Sequence, residues 1–303
     1  MRPRAALLLL SISLCACRPT EESRMKAIIG AVLIDGLGGP PLSDSVVVVA
    51  GSRIREAGAR STVAIPAEAD KVDGSGKFLV PALVDVYAHA VDTAAFTPGR
   101  PATPEAARAQ VARLSSLPAC AIHLWEIDPA VAQAALEAAR DAAIPVIGHV
   151  STQAGVRFLA DGGATGFVGM IADTENLDPA LVARLRDLRI FFAPALATAG
   201  AAAPIASRNT RRLFAAGVPI AMASNGATAD REPELLVEAG IPPLDVIVAA
   251  TRNGAAALGL LDQAGTIQAG KPADLLLLGS NPAEDIGNLR KVVLRMSAGD
   301  WVK

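Results

Sequence analysis

The sequence predicts an α/β protein: a helix-covered parallel sheet inserted into a smaller β-rich unit built from both ends of the chain. Three observations carry this. From Ala27 to Leu79, short apolar stretches are punctuated by Gly, Pro and Asp, which is the pattern of short strands. From Val80 the rhythm changes to strand, helix, strand, and that alternation implies a parallel sheet. After Gly265 strands return, at Asp274–Leu278 and Val292–Met296.

In chain order, residues 18–26 read as a short tether. Ala27–Ile34 and Ser45–Ala50 follow as strands, with Arg53-Ile54 after a Gly51-Ser52 turn. The α/β part offers six apolar strand candidates, at 80–86, 119–125, 144–150, 164–170, 189–195 and 218–224. Helices are expected at Pro104–Leu114, Pro129–Ala142, Pro179–Leu188 and Arg208–Ala216. Three of them open on Thr103-Pro104, Asp128-Pro129 and Asp178-Pro179. These are capping side chains followed by a proline whose missing N–H costs nothing in a first turn. Ala-rich Leu196–Ala206 reads as a flexible loop.

Composition narrows the function classes. The 303-residue chain is 51% hydrophobic and 19% charged, with a net charge of −2, so it can bury a real core. It has no basic excess to draw it to nucleic acid, and aromatics at 3% are too sparse for base-stacking platforms. Arg2 and Arg4 precede an apolar run, Ala5–Leu14, that is too short to span a bilayer. Leu14-Cys15-Ala16-Cys17 then resembles a bacterial lipobox. That expectation makes residues 1–17 a signal and Cys17 the lipidated first residue, the alternative being an ordinary secretory cleavage nearby. Arg18 rather than Asp follows, a pattern that points to the periplasmic face of the outer membrane, with the lipid as the only membrane contact. Cys120 is then the one thiol left, and no intramolecular disulfide is expected.

Two stretches carry a family resemblance. Gly76-Lys77-Phe78-Leu79-Val80-Pro81-Ala82-Leu83-Val84-Asp85-Val86-Tyr87-Ala88-His89 resembles the barrel entry of the metal-dependent amidohydrolase superfamily, where Pro-Gly-Leu-Ile-Asp leads to His-x-His. The run Ala249–Gly259 followed by Gly265–Leu275, with Asn281-Pro282 after it, is similar to the same family's end, and the imidazolonepropionase-like and prolidase-like branch is the nearest in pattern. The resemblance implies a (β/α) barrel with a small β-sandwich from both termini. Here that means residues 27–79 and 264–303 around a barrel at 80–263. That span falls well short of the about 250 residues a full barrel takes, so a shortened barrel is expected. The missing part lies between His89 and Ala119, where the family has strands two and three.

In that family one or two metals sit at the C-terminal ends of barrel strands. Carried over, the first His of His-x-His is Tyr87, the only tyrosine, and the second is His89. The bridging Lys has become His123, and the strand-five His is His149. Gly169 stands at the strand-six His, and Asn225 at the strand-eight Asp that acts as proton carrier. All three histidines of the chain thus fall at ligand positions.

With strands two and three absent, strand one would lie beside strand four. His89, His123 and His149 would then come from adjacent strands about 4.8 Å apart and could share one Zn²⁺ with a fourth position for water. Tyr87 either contributes a phenolate or fills vacated space. Two functions stay open. One is a non-catalytic binding protein with an eroded metal centre. The other is a mononuclear zinc hydrolase of a C–N bond in an amide, cyclic amide or dipeptide, with Asn225 hydrogen-bonding the substrate. The partner in either case is a small molecule or short peptide, and an unclosed sheet edge would favour a homodimer.

Overall fold

The computed structural model describes residues 25–87, 103–115, 121–125, 128–224 and 231–302. Cys17, His89, Cys120, Glu126 and Asn225 lie outside them. Strands β1 (Met25–Leu33), β2 (Leu42–Ala50), β3 (Arg53–Ala59), β4 (Asp70–Asp73) and β5 (Phe78–Pro81) come from the N-terminal part. They join β10 (Leu275–Leu278), β11 (Val292–Ser297) and β12 (Asp300–Val302) in one sheet ordered β12-β11-β10-β5-β1-β2-β3, with β4 paired to β1. The sheet curls back on itself: Ile54 N–H donates to Lys271 O at 2.8 Å and Ala273 N–H to Ser52 O at 2.9 Å. The two-residue period of β2 shows why it forms here. Val47 and Val49 face the cluster of Ile28, Leu79 and Met296, while Val46 and Val48 face Val63.

The second body is helix-covered. Its parallel sheet runs β6 (Ile122–Leu124), β7 (Val146–Val150), β8 (Gly166–Gly169), β9 (Phe191–Ala193). Ile220 bridges to Phe192 in parallel, and Val86 N–H donates to Met222 O at 3.0 Å. The Val84–Val86 segment, the Ile220 segment and these four strands thus lie side by side in barrel order. Among the described residues no ladder joins Val84–Val86 to Ile122–Leu124. Inward faces carry Ala121, Ala193, Ala221 and Ala223 with Val84, Val86, Ile147 and Val168. Outward faces, such as Phe167 and Phe192, pack under helices. Each such ring contributes about 1.5–3 kcal/mol by burial.

The helices are α1 (Pro104–Ser115), α2 (Pro129–Asp141), α3 (Gln153–Gly162), α4 (Pro179–Asp187), α5 (Ala203–Ala215), α6 (Glu232–Glu238), α7 (Pro243–Val248) and α8 (Gly254–Ala257). Asp128 and Asp178 cap α2 and α4 through their carboxylates, so Asp128 is a helix cap. Asp173 accepts from Gln153 N–H and closes a loop. Among the described residues no helix is long and apolar enough to cross a membrane.

Two sequence expectations need correction. The 80–86 strand is split: Val80 and Pro81 pair with β10, because β5 ends the terminal sheet, and only Val84 and Val86 bond into the barrel side. Leu196–Ala206 is no loop. It holds two 3-10 turns and the start of α5, whose Pro204 sits in the first turn and whose buried face carries Ala206, Asn209, Thr210 and Leu213.

Candidate functional site

The candidate site opens at the C-terminal ends of β7, β8 and β9, as a cavity of about 430 Å³. His123 and His149 project inward because each shares parity with an inward residue, Ala121 and Ile147. In the parallel ladder Leu124 pairs with Gly148, which brings the two imidazoles together. His123 Nδ1 lies 3.0 Å from His149 Nε2, so one imidazole donates its N–H to the other's lone pair.

Burial lowers the pKa of both. His123 falls to about 4 by desolvation, and His149 to about 3 by desolvation and then by repulsion from His123. The pair is neutral at neutral pH. Trp125 stacks on His149 with centroids 4.3 Å apart and planes 12° from parallel, and Tyr87 meets it edge-on at 5.4 Å.

Asp85 organises the opposite wall. Its carboxylate accepts from Tyr87 N–H at 2.8 Å, from Ser224 N–H at 3.0 Å and from the Ser224 hydroxyl. It thereby ties the strand-one segment to the residue before Asn225. Gly169 occupies the strand-six ligand position with φ +118°, and a Cβ built there would lie 2.1 Å from Val150 O. A histidine cannot stand at this position unless the backbone moves. The third wall is the turn Leu196–Thr198, which the buried Glu232 holds by accepting from Leu196 N–H and Ala197 N–H, both at 2.8 Å. Burial raises Glu232 to about 7 against the opposing effect of those two bonds, and Asp85 adds repulsion.

The structure therefore brings Tyr87, His149 and Gly169 to one cavity, with His123 behind its wall and bonded to His149. Sequence reasoning missed Trp125, Ser224 and Glu232, and it quoted Asp85 only as part of a motif. Glu232 hides in the charged run Asp230-Arg231-Glu232-Pro233-Glu234, which reads as a solvated helix start.

The amidohydrolase family model matches residues 101–302, and the chain belongs to that family. Solved structures share its fold. A candidate prolidase from Bifidobacterium longum has a TM-score of 0.76 at 22% identity, covering 92% of this chain and 94% of that one. A Xaa-Pro dipeptidase with bound methionine has 0.78 at 17%, covering 92% and 100%. Ochratoxinase of A. niger has 0.77 at 16%, covering 92% and 96%. At these identities the likeness is one of fold. A 5-methylthioadenosine/S-adenosylhomocysteine deaminase of Moorella thermoacetica is 34% identical over a stretch covering 22% of this chain and 19% of the enzyme, so the match spans about a fifth of that relative.

Members of this family are usually metal-dependent, and the donors present can be weighed against that. Catalytic zinc sites keep three protein ligands. The described residues offer two imidazoles bonded to each other, and no group of three His, Cys, Asp or Glu comes together among them. Among the described residues this pair falls one ligand short of such a site, and His89 lies outside them. No carboxylate, lysine or arginine lines the cavity among the described residues; its polar groups are His149, the indole of Trp125 and the hydroxyls of Tyr87, Ser151, Thr198 and Ser224.

Proposed function

We propose that this protein is an envelope lipoprotein of the amidohydrolase family that binds a small uncharged molecule in this cavity and does not run two-metal hydrolysis. One observation carries the reading: at Gly169 a backbone with φ +118° and the carbonyl of Val150 fill the place of a strand-six ligand. The neutral imidazole pair and the uncharged lining among the described residues support the ligand class, because an ion buried here without a counter-charge would lose several kcal/mol of hydration. Apolar Val168 and Met170 supply contact area, and the hydroxyls supply orientation. The positive N-terminus, the apolar run and Cys17 support the lipid anchor.

The test is binding of a neutral fluorescent probe, N-phenyl-1-naphthylamine, to the protein and to Met170→Trp, which fills the cavity. Saturable binding that the variant loses supports the reading. Equal binding by the two, or none by either, overturns it.

A second reading has its own observation. The 3.0 Å between His123 Nδ1 and His149 Nε2 is near the roughly 3.3 Å separating two nitrogens on a tetrahedral zinc. In that reading His89 supplies the third nitrogen, and the chain is a mononuclear zinc hydrolase of C–N bonds. Zinc-dependent turnover of a neutral amide or a dipeptide would favour it.

A further inference from the structure

The geometry points to Glu232 as the positioning residue of the ligand cavity, holding the Ala195–Thr198 wall through two backbone N–H groups. This rests on the reading that the cavity binds a ligand. Ala195 is a non-glycine residue in the left-handed region at φ 38°, ψ 45°. That conformation costs roughly 1–2 kcal/mol and persists only where surroundings hold it. Its effect here is geometric. A left-handed residue next to a right-handed turn aims successive N–H groups into one concavity, a nest that suits an anion. The N–H groups of Leu196 and Ala197 form that concavity, and the two carboxylate oxygens of Glu232 fill it, one N–H to each oxygen.

The residue type follows. Two adjacent donors call for two acceptors. A carboxylate has them, while an amide would turn its NH₂ against one N–H. Glu232 begins α6, yet its side chain reaches across some 35 residues of sequence instead of serving its own helix. It is 0% exposed, so the carboxylate is in a costly place for a loop clip that any surface residue could provide.

What the clip holds is the cavity: Ala195 and Thr198 both line it, and the Thr198 hydroxyl donates to Ala195 O to complete the turn. Among the described residues, the charged groups near Glu232 have other partners or lie on other elements. Asp85 on the strand-one segment is the one whose field reaches it. Arg290 is engaged with Glu234, and Arg231 with Glu234 and Glu238. In α5, Arg208 pairs with Glu175, Arg212 donates to the Glu175 carbonyl, and Arg211 lies against Gly240. Asp245 belongs to α7, and the Leu196–Thr198 turn carries no ionisable side chain.

The experiment compares wild type with Glu232→Gln and Ala195→Gly/Glu232→Gln. It measures amide exchange at Leu196 and Ala197 by NMR, and N-phenyl-1-naphthylamine binding, from pH 5.5 to 8.5. In wild type, protection of the two amides and probe affinity should rise together as the carboxylate ionises. In Glu232→Gln protection at both amides should fall about tenfold at pH 8, the pH step should vanish, and affinity should drop, while near-UV circular dichroism stays native. Glycine at 195 removes the strain, so the double variant should recover part of the affinity. Unchanged protection in a folded Glu232→Gln protein overturns the positioning role. A loss of protection without any change in probe affinity limits Glu232 to the loop and also overturns it. Absent probe binding in wild type with the exchange effect intact tells against the cavity reading instead.

Discussion

Gly169→Ala is the sharpest perturbation the structure offers, because it asks why the strand-six ligand position is empty of side chain. Two costs add. The residue sits at φ +118°, where any Cβ is strained by about 1–3 kcal/mol. The added carbon would also lie 2.1 Å from Val150 O and 3.2 Å from Val150 C, both backbone atoms that no rotamer change can clear. Relief means moving the end of β8 from β7 and weakening the Met170 N–H to Val150 O bond of 3.0 Å, about 1 kcal/mol more. The total is about 2–4 kcal/mol, a melting shift of roughly 10 °C.

Gly163→Ala is the control. Gly163 has φ +99° but no atom within 4 Å of its built Cβ, so it reports conformational strain alone. Urea unfolding of wild type and both variants, with m-values compared, separates the terms. Gly169→Ala should lose at least about 1 kcal/mol more than Gly163→Ala. If the two lose the same, the steric argument at the ligand position is wrong, and with it the reason for reading that position as closed.

Three other outcomes are expected. Glu232, with its folded pKa raised by burial to about 7 from an ordinary 4.5, contributes stability that is full below pH 4.5 and is lost as pH rises through 7. The loss is on the order of 3 kcal/mol, and the difference in unfolding free energy between Glu232→Gln and wild type should grow by that amount across this window. Gly254→Ala places a Cβ 2.6 Å from Val84 O, and it should destabilise by about 2–3 kcal/mol in the same urea assay by prising α8 from the strand-one segment. The full-length protein should partition into the detergent phase of Triton X-114 and become aqueous in Cys17→Ser; partition unchanged by the substitution would remove the lipid anchor.

What was legible in the sequence was what local chemistry writes. Asp128-Pro129 and Asp178-Pro179 announce helix starts because the cap and the proline act within one turn. Val146–Val150 and Gly166–Gly169 read as strands because fully buried parallel strands are continuous apolar runs. The substitutions at Tyr87 and Gly169 could be seen by resemblance, but the reason Gly169 cannot be reverted, a backbone angle and a facing carbonyl, exists only in the folded chain. The helix expected at Arg208–Ala216 is present as α5, but its first turn from Ala203 was not legible, because the side chain it buries there is the small Ala206. Glu232 and Asp85 were illegible for another reason. Their partners lie 35 and 139 residues away, and nothing in a charged run or a turn motif records a bond at that distance.

The most direct test of the account is metal content. Protein covering residues 18–303, with Cys17 replaced, would be stripped with chelator, reloaded with Zn²⁺, desalted and quantified by plasma mass spectrometry beside a His123→Ala variant. The account predicts a folded protein that retains no stoichiometric zinc, with the two samples alike. One equivalent of zinc, lost in His123→Ala, would contradict it and establish a three-histidine metal centre in its place.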